Sequence, residues 1–186
     1  MTNFESATRN ALLFRVPGQT EASKGRNERM IESVDIFPTL VELAGMPALP
    51  ACQGLDQPPT TACLQGESFA REFLSASSAS TTAAAVAAVA APKQYAFSQW
   101  PFPAWGNETV LREGYTVRSA TGYRYTTYVP YSNTAFTGNW SAPIGDEELY
   151  DYNRDRWETT NFADNVTYAP IVAELRQILL KQYAEP

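Results

Sequence analysis

The chain contains no histidine, only two cysteines, no clustered run of Lys or Arg, and no apolar stretch near the roughly 18 residues needed to span a bilayer. Without histidine there is no side chain that titrates near neutrality unperturbed, no Ser-His or Cys-His nucleophile pair, and no imidazole ligand for zinc, iron or copper. Most familiar hydrolytic sites are therefore excluded as complete sites within these residues. The 14 Lys and Arg are scattered and outnumbered by 20 acids, for a net charge of -6. A phosphate-neutralising surface needs clustered cations, so no nucleic-acid partner is expected, and no membrane partner either. The opening MTNFESATRN lacks a basic stretch followed by an apolar one, so no signal peptide is visible. What is present is 186 residues, 44% hydrophobic, enough for one ordinary domain with a real core. The 20 acids leave a carboxylate pair or a carboxylate-held hard cation open.

Cys52 and Cys63 flank a polar, Pro-rich segment, CQGLDQPPTTAC. The spacing suits a small disulfide-closed loop in an oxidising compartment, stabilising by about 2 to 3 kcal/mol, with two unpaired thiols as the alternative. Three N-x-[ST] triplets, at Asn107, Asn139 and Asn165, are candidate N-glycosylation sites and point the same way. Secretory features without a visible secretion signal lead to the expectation that Met1 is not the natural beginning of the folded unit.

Residues 11–16, ALLFRV, form a continuous apolar run closed by Pro17-Gly18, which reads as a strand buried on both faces. In SVDIFPTLVELAGMP, Asp35 can cap a helix, Pro38 is tolerated in its first turn, and Gly45 with Pro47 stops it, leaving Ile36, Leu40, Leu43 and Ala44 on one face. LQGESFAREFL predicts a short helix, and residues 75–92, rich in Ala, Ser and Thr without charges, a linker or surface insertion. YAFSQW predicts a strand. GYTVRS and YRYTTYV predict two more, joined by a short Ala-Thr-Gly hairpin, and EELYDY a fourth. APIVAELRQILLKQY predicts a closing helix with Pro170 near its start and Ile171, Leu175, Ile178, Leu179 and Tyr183 on one stripe. The expected class is α+β: an edge strand and helix at residues 1–74, the insertion at 75–92, and a small antiparallel sheet packed on a C-terminal helix at 93–186.

Asp146, Glu147, Glu148 and Asp151 lack the glycine-punctuated spacing of a calcium loop and read as a solvated strand entrance. Trp100, Phe102 and Trp105 in QWPFPAW present aromatic faces on which a sugar could stack, or the packing of an ordinary loop. Arg112, Arg118 and Arg124 could grip an anion bidentately, or keep strand faces soluble.

Six segments in order resemble the C-terminal part of sulfatases, members of the alkaline-phosphatase-like superfamily: TNFESATRNALLFRVPG, SVDIFPTLVELAGMP, CLQGESF, AFSQWPFP, EGYTVRSATGYRYTTYV and EELYDYNRDRWETTNFA. TNFESAT, SQWPFP and the Cys52/Cys63 loop resemble a subgroup acting on iduronate-type glycosaminoglycan sugars. Asn10-Ala11 departs from the family's Val-Pro. The resemblance implies a lysosomal or secreted sulfuric ester hydrolase in which a formylglycine, made within a C-x-P-x-R motif, and a calcium ion serve catalysis. That motif is missing: Cys52 is followed by Gln-Gly-Leu and Cys63 by Leu-Gln-Gly. In the family the TNFE segment directly follows a catalytic Lys and His, and Met1 stands where that His would be. No catalytic or metal role is therefore assigned to any residue here, calcium and formylglycine are implied only for a complete parent enzyme, and the implied partners are its N-terminal domain and a sulfated sugar. The resemblance points to Gln99 and Trp100 for substrate binding, with Arg112 as the candidate basic residue of a shortened loop. The alternative is a catalytically dead module that binds sulfated carbohydrate or another protein.

Overall fold

A computed structural model describes residues 3–17, 25–52, 62–74, 92–103 and 109–184. The chain divides into two units, one comprising Met1–Ala11 and Gln94–Glu185, the other Leu12–Lys93. In the first, α1 (Glu5–Thr8) precedes an antiparallel sheet of β1 (Tyr95–Pro103), β2 (Val110–Ser119), β3 (Tyr123–Ser132), β4 (Thr137–Gly138) and β5 (Glu147–Asp151), and α4 (Ala169–Tyr183) follows it. In the second lie a 3-10 turn at Ser33–Asp35, α2 (Ile36–Leu43) and α3 (Arg71–Leu74). Most of the expected insertion, residues 75–91, lies outside the described residues.

Period-two alternation of Tyr, Thr and Val builds the sheet. β1 pairs β2, β2 pairs β3, and the far edge of β3 is shared, β5 taking residues 123–127 and β4 residues 131–132. One face carries Tyr115, Val117, Tyr125, Val129 and Leu149, and α4 covers it with Val172, Leu175 and Leu179. Ile171, Ile178 and Tyr183 flank that stripe half-buried, so the expected helix face holds, with Val172 added. The helix begins as the sequence suggests: Asn165 Oδ1 accepts Thr167 N at 2.9 Å in the preceding 3-10 turn, and Pro170 needs no donor in the first turn. The α+β class, an antiparallel sheet packed on a C-terminal helix, is what the sequence implied.

Two expectations for the first residues of the chain are corrected. Residues 11–16 form no strand. A strand buried on both faces needs a pairing partner at each edge, none is present among the described residues, and Leu13 is 92% exposed. The first eleven residues, grouped by sequence with 12–74, instead belong to the sheet unit. The reason is a buried arginine described below.

The second unit is organised by Asp35. Its carboxylate accepts Glu32 N at 2.9 Å, Glu67 N at 2.8 Å and Lys93 Nζ at 2.7 and 2.9 Å, and Glu32 also pairs with Lys93 at 2.7 Å. Burial alone would lower the Lys93 pKa, and bonds to the two carboxylates overcome that and raise it. Asp35 thus works in a capping box with Glu32 in place of capping α2 directly. The buried face of α2 is Pro38, Thr39 and Val41, because Thr39 Oγ1 donates to Asp35 O at 2.6 Å and accepts Phe69 N at 3.1 Å. Leu40 and Phe37, 54% exposed, turn outward with Val34, the reverse of the expected orientation for Leu40. Phe14 closes the inner side against Phe69 and Phe73. Gly66 of the LQGES turn is obligatory, since a Cβ there would lie 2.0 Å from Val34 O. Cys52 and Cys63 are joined in a disulfide beside a parallel bridge between Ala51 and Leu64. Among the described residues no helix is long and apolar enough to cross a membrane.

Candidate functional site

The sheet face opposite α4 holds the candidate site. Trp100 lies opposite Gly114 and Phe102 opposite Arg112 across β1 and β2, and Gly114 lies opposite Tyr128 across β2 and β3. Strand alternation puts all five on one face. Phe102 meets the Tyr128 ring edge-to-face at 5.1 Å, and Tyr128 Oη donates to Glu148 Oε1 at 3.3 Å. Burial, then the Glu148 charge, raises the Tyr128 phenol, and burial raises the Glu148 carboxyl. Gly114 leaves room for two side chains: Asn3 Nδ2 donates to its carbonyl at 2.8 Å, and a Cβ there would meet the Tyr128 ring at 2.8 Å and Asn3 Nδ2 at 3.1 Å. Arg112 is exposed and pairs with the exposed Asp146 at 3.0 Å. Solvent screens such a pair heavily, so an incoming sulfate or carboxylate can replace Asp146 at little cost.

Trp100 and Arg112, expected together from sequence, therefore share a face one register step apart. Gln99 does not join them. It lies opposite Tyr115, on the face that carries α4, because neighbouring residues of a strand point to opposite sides. Trp105 and Asn107 lie outside the described residues. Asn139 and Asn165 are exposed, as acceptors of a glycan must be.

Further along the same face, the arginines read as anion grips or solubilising residues do something else. Arg124 is 1% exposed and holds the start of the chain: its guanidinium donates to Asn3 O, to Glu5 Oε2 at 2.7 Å and to Thr8 Oγ1 at 3.0 Å. Its Nε donates to Tyr152 Oη at 2.6 Å and lies 3.0 Å from Glu158 Oε1, while Glu5 N donates to Glu158 Oε2 at 2.8 Å. Arg118 sits 4.0 Å above the Tyr152 ring. Two arginines face two glutamates, so the buried charge is balanced. Asn3, Glu5, Tyr152 and Glu158 were not singled out by sequence. One signal was available: the Ala-Thr-Gly hairpin sets Arg118 directly opposite Arg124, and like charges so placed require acids nearby. The left-handed backbone of Glu158, at φ 55°, carries no sequence signature.

The acidic residues 146–151 disperse: Asp146 to Arg112, Glu147 to Arg176 at 2.6 Å, Glu148 to Tyr128, Asp151 to Tyr168 at 2.9 Å. Among the described residues no three acids or cysteines converge as a metal site. Among the described residues no donor set for a calcium ion gathers, and Cys52 and Cys63 are joined to each other.

The fold is similar to a segment of a solved structure. The phosphonate monoester hydrolase of Agrobacterium radiobacter superposes with a TM-score of 0.51 over 83% of this chain and 25% of that one, at 18% identity. In sequence, the chain is similar to iduronate 2-sulfatase of Mus musculus, 26% identical over 208 aligned residues, and of Homo sapiens, 25% over 193. The alignments cover 94% and 86% of this chain but 36% and 34% of the relatives, so the chain spans about a third of their length. No family model matches. The sulfatase resemblance read from the motifs is thus borne out.

Proposed function

We propose that this chain serves as the C-terminal portion of a sulfuric ester hydrolase acting on glycosaminoglycan sugars of iduronate type, in a secreted or lysosomal setting. The observation that carries the reading is likeness to iduronate 2-sulfatase sustained along nearly the whole chain. In this reading the bond-breaking groups come from an N-terminal sulfatase part, and the 186 residues supply binding. Trp100 offers an indole face to the CH side of a sugar ring, and Arg112 exchanges Asp146 for an anionic group of the substrate. Asn3, bonded to the carbonyl of Trp100's register partner Gly114, lies at the same face.

Val34, Phe37 and Leu40, and the 92% exposed Leu13, give the second unit exposed apolar surface. In this reading the occupant is the remainder of a polypeptide of the relatives' length, of which this chain spans about a third. That surface also argues against a stand-alone binding module, which would bury it.

Sequencing the transcript upstream of the Met1 codon tests the reading: an in-frame C-x-P-x-R is expected, and a stop codon directly upstream overturns it. At the bench, the purified chain should bind a sulfated dermatan disaccharide without releasing sulfate. Sulfate release by contaminant-free chain would overturn the assignment of chemistry to other residues.

A further inference from the structure

The loop after β5 carries acids and arginines in alternation, and its folding sorts them. The acids turn inward. Asp151 is 3% exposed and accepts Tyr168 Oη at 2.9 Å. Asp155 accepts Trp157 N and Thr160 N at 3.0 Å, and the amide and hydroxyl of Thr159 at 2.6 and 2.9 Å. The Glu158 side chain is 6% exposed and faces Arg124 and Tyr152. Arg154 and Arg156 stay exposed, Arg154 donating to Tyr168 Oη at 3.2 Å and Arg156 having no carboxylate partner among the described residues. A chain of net charge -6 thus turns free guanidinium groups to solvent at this loop.

Trp157 stands beside them. It is 75% exposed, with the Arg156 guanidinium 5.0 Å from the centre of its ring. Arg156 covers one side of the indole, and exposure of that extent leaves the other side open. The backbone is fixed before and after it. Asp155 gathers three amides, and Glu158 holds a left-handed φ of 55° because its carboxylate is bonded to Tyr152 and Glu5 N and paired with Arg124. A large ring held rigidly in water adds little to the fold and is preorganised for a contact from outside. A guanidinium beside an open indole suits a sugar that carries sulfate or carboxylate and stacks its CH face on the ring.

Through Glu158 the loop is anchored to the sheet face that carries Trp100 and Arg112. Gly114, the register partner of Trp100, and Arg118, opposite Arg124, lie four residues apart on β2, about 14 Å at the usual rise of a strand. A disaccharide on Trp100 ends short of the loop, and a longer saccharide reaches it. We propose that Arg156 and Trp157 form a distal subsite for a sulfated oligosaccharide whose other end lies on Trp100 and Arg112. The subsite rests on the substrate class proposed above and adds that the ligand is an extended chain.

Isothermal titration of the full chain with a dermatan sulfate disaccharide and octasaccharide is the test. The octasaccharide should bind about tenfold more tightly, the gain from a further charge-assisted contact. Arg156→Gln and Trp157→Ala, both at exposed positions, should leave the melting temperature and disaccharide affinity unchanged and each remove most of that gain. Equal affinity for the two saccharides overturns the subsite, as does octasaccharide binding that both variants retain. Displacement of the octasaccharide by polyglutamate at equal charge concentration also overturns it, since the loop would then be a contact for any acidic chain. Failure of the enzyme reading looks different: a stop codon directly upstream of Met1 leaves these affinities, and the subsite, as they are.

Discussion

At the residue scale the molecule depends most on Arg124. Replacing it by Met leaves Glu158 buried and Glu5 partly so, facing no guanidinium from β3, and the expected loss is about 3 kcal/mol by urea unfolding. Arg112→Ala removes a pair exposed on both sides and should fall within about 0.5 kcal/mol. The same measurement on both variants separates a clamp from a surface pair. Glu113 carries a different signature. It is 5% exposed, and burial raises its carboxyl above the ordinary value of about 4.5. The native state therefore keeps this proton to higher pH than the unfolded chain does, so stability is greatest below the ordinary value and falls as pH rises through the native one. Glu113→Gln should raise the melting temperature at pH 7 and leave it unchanged near pH 4; a rise of equal size at both would refute the linkage. These roles were hard to read in advance because a sequence shows that Arg124 alternates with tyrosines but not what covers it. Trp100 and Arg112 were named from the resemblance, and the β1–β2 pairing sets them on one face. Gln99 was grouped with Trp100 because both fall in the SQWP segment that carries the resemblance, and adjacency in a strand parts them.

Elements were legible where their signals are local. The β2–β3 hairpin and α4 follow from period-two alternation, a Gly-containing turn and an apolar stripe behind Pro170, all within a few residues of each other. Residues 11–16 failed because an apolar run becomes a strand only when other chain supplies its ladder. The face of α2 was inverted because counting apolar side chains ignores Thr39, whose hydroxyl bonds in two directions at the buried side. Thr39→Val, near in shape, should destabilise the second unit by about 1 to 3 kcal/mol by stranding Phe69 N, whereas Leu40→Gln on the same helix should change little. Hydrogen exchange of the Phe69 amide checks the first directly, with faster exchange expected. Leu179→Ala in α4 removes a fully buried side chain and should cost about 3 kcal/mol.

At the scale of the whole molecule, the exposed Leu13, Val34, Phe37 and Leu40 govern behaviour in solution. A Phe37→Ser, Leu40→Gln double variant should show less self-association by light scattering than the parent chain, with an unchanged thermal midpoint; equal scattering would mean that this surface is not the sticky one. Fold class was readable from sequence because each unit announces its elements locally, and the chain's likeness to a third of a larger enzyme was readable because the motifs keep their order. The Cys52–Cys63 bond adds a consequence of another kind. Because the chain has just these two cysteines, its thiol count takes one of two simple values, two or none. Alkylating protein taken from its natural source before and after a reductant, then weighing it, turns that count into a record of the compartment in which the chain last came to rest.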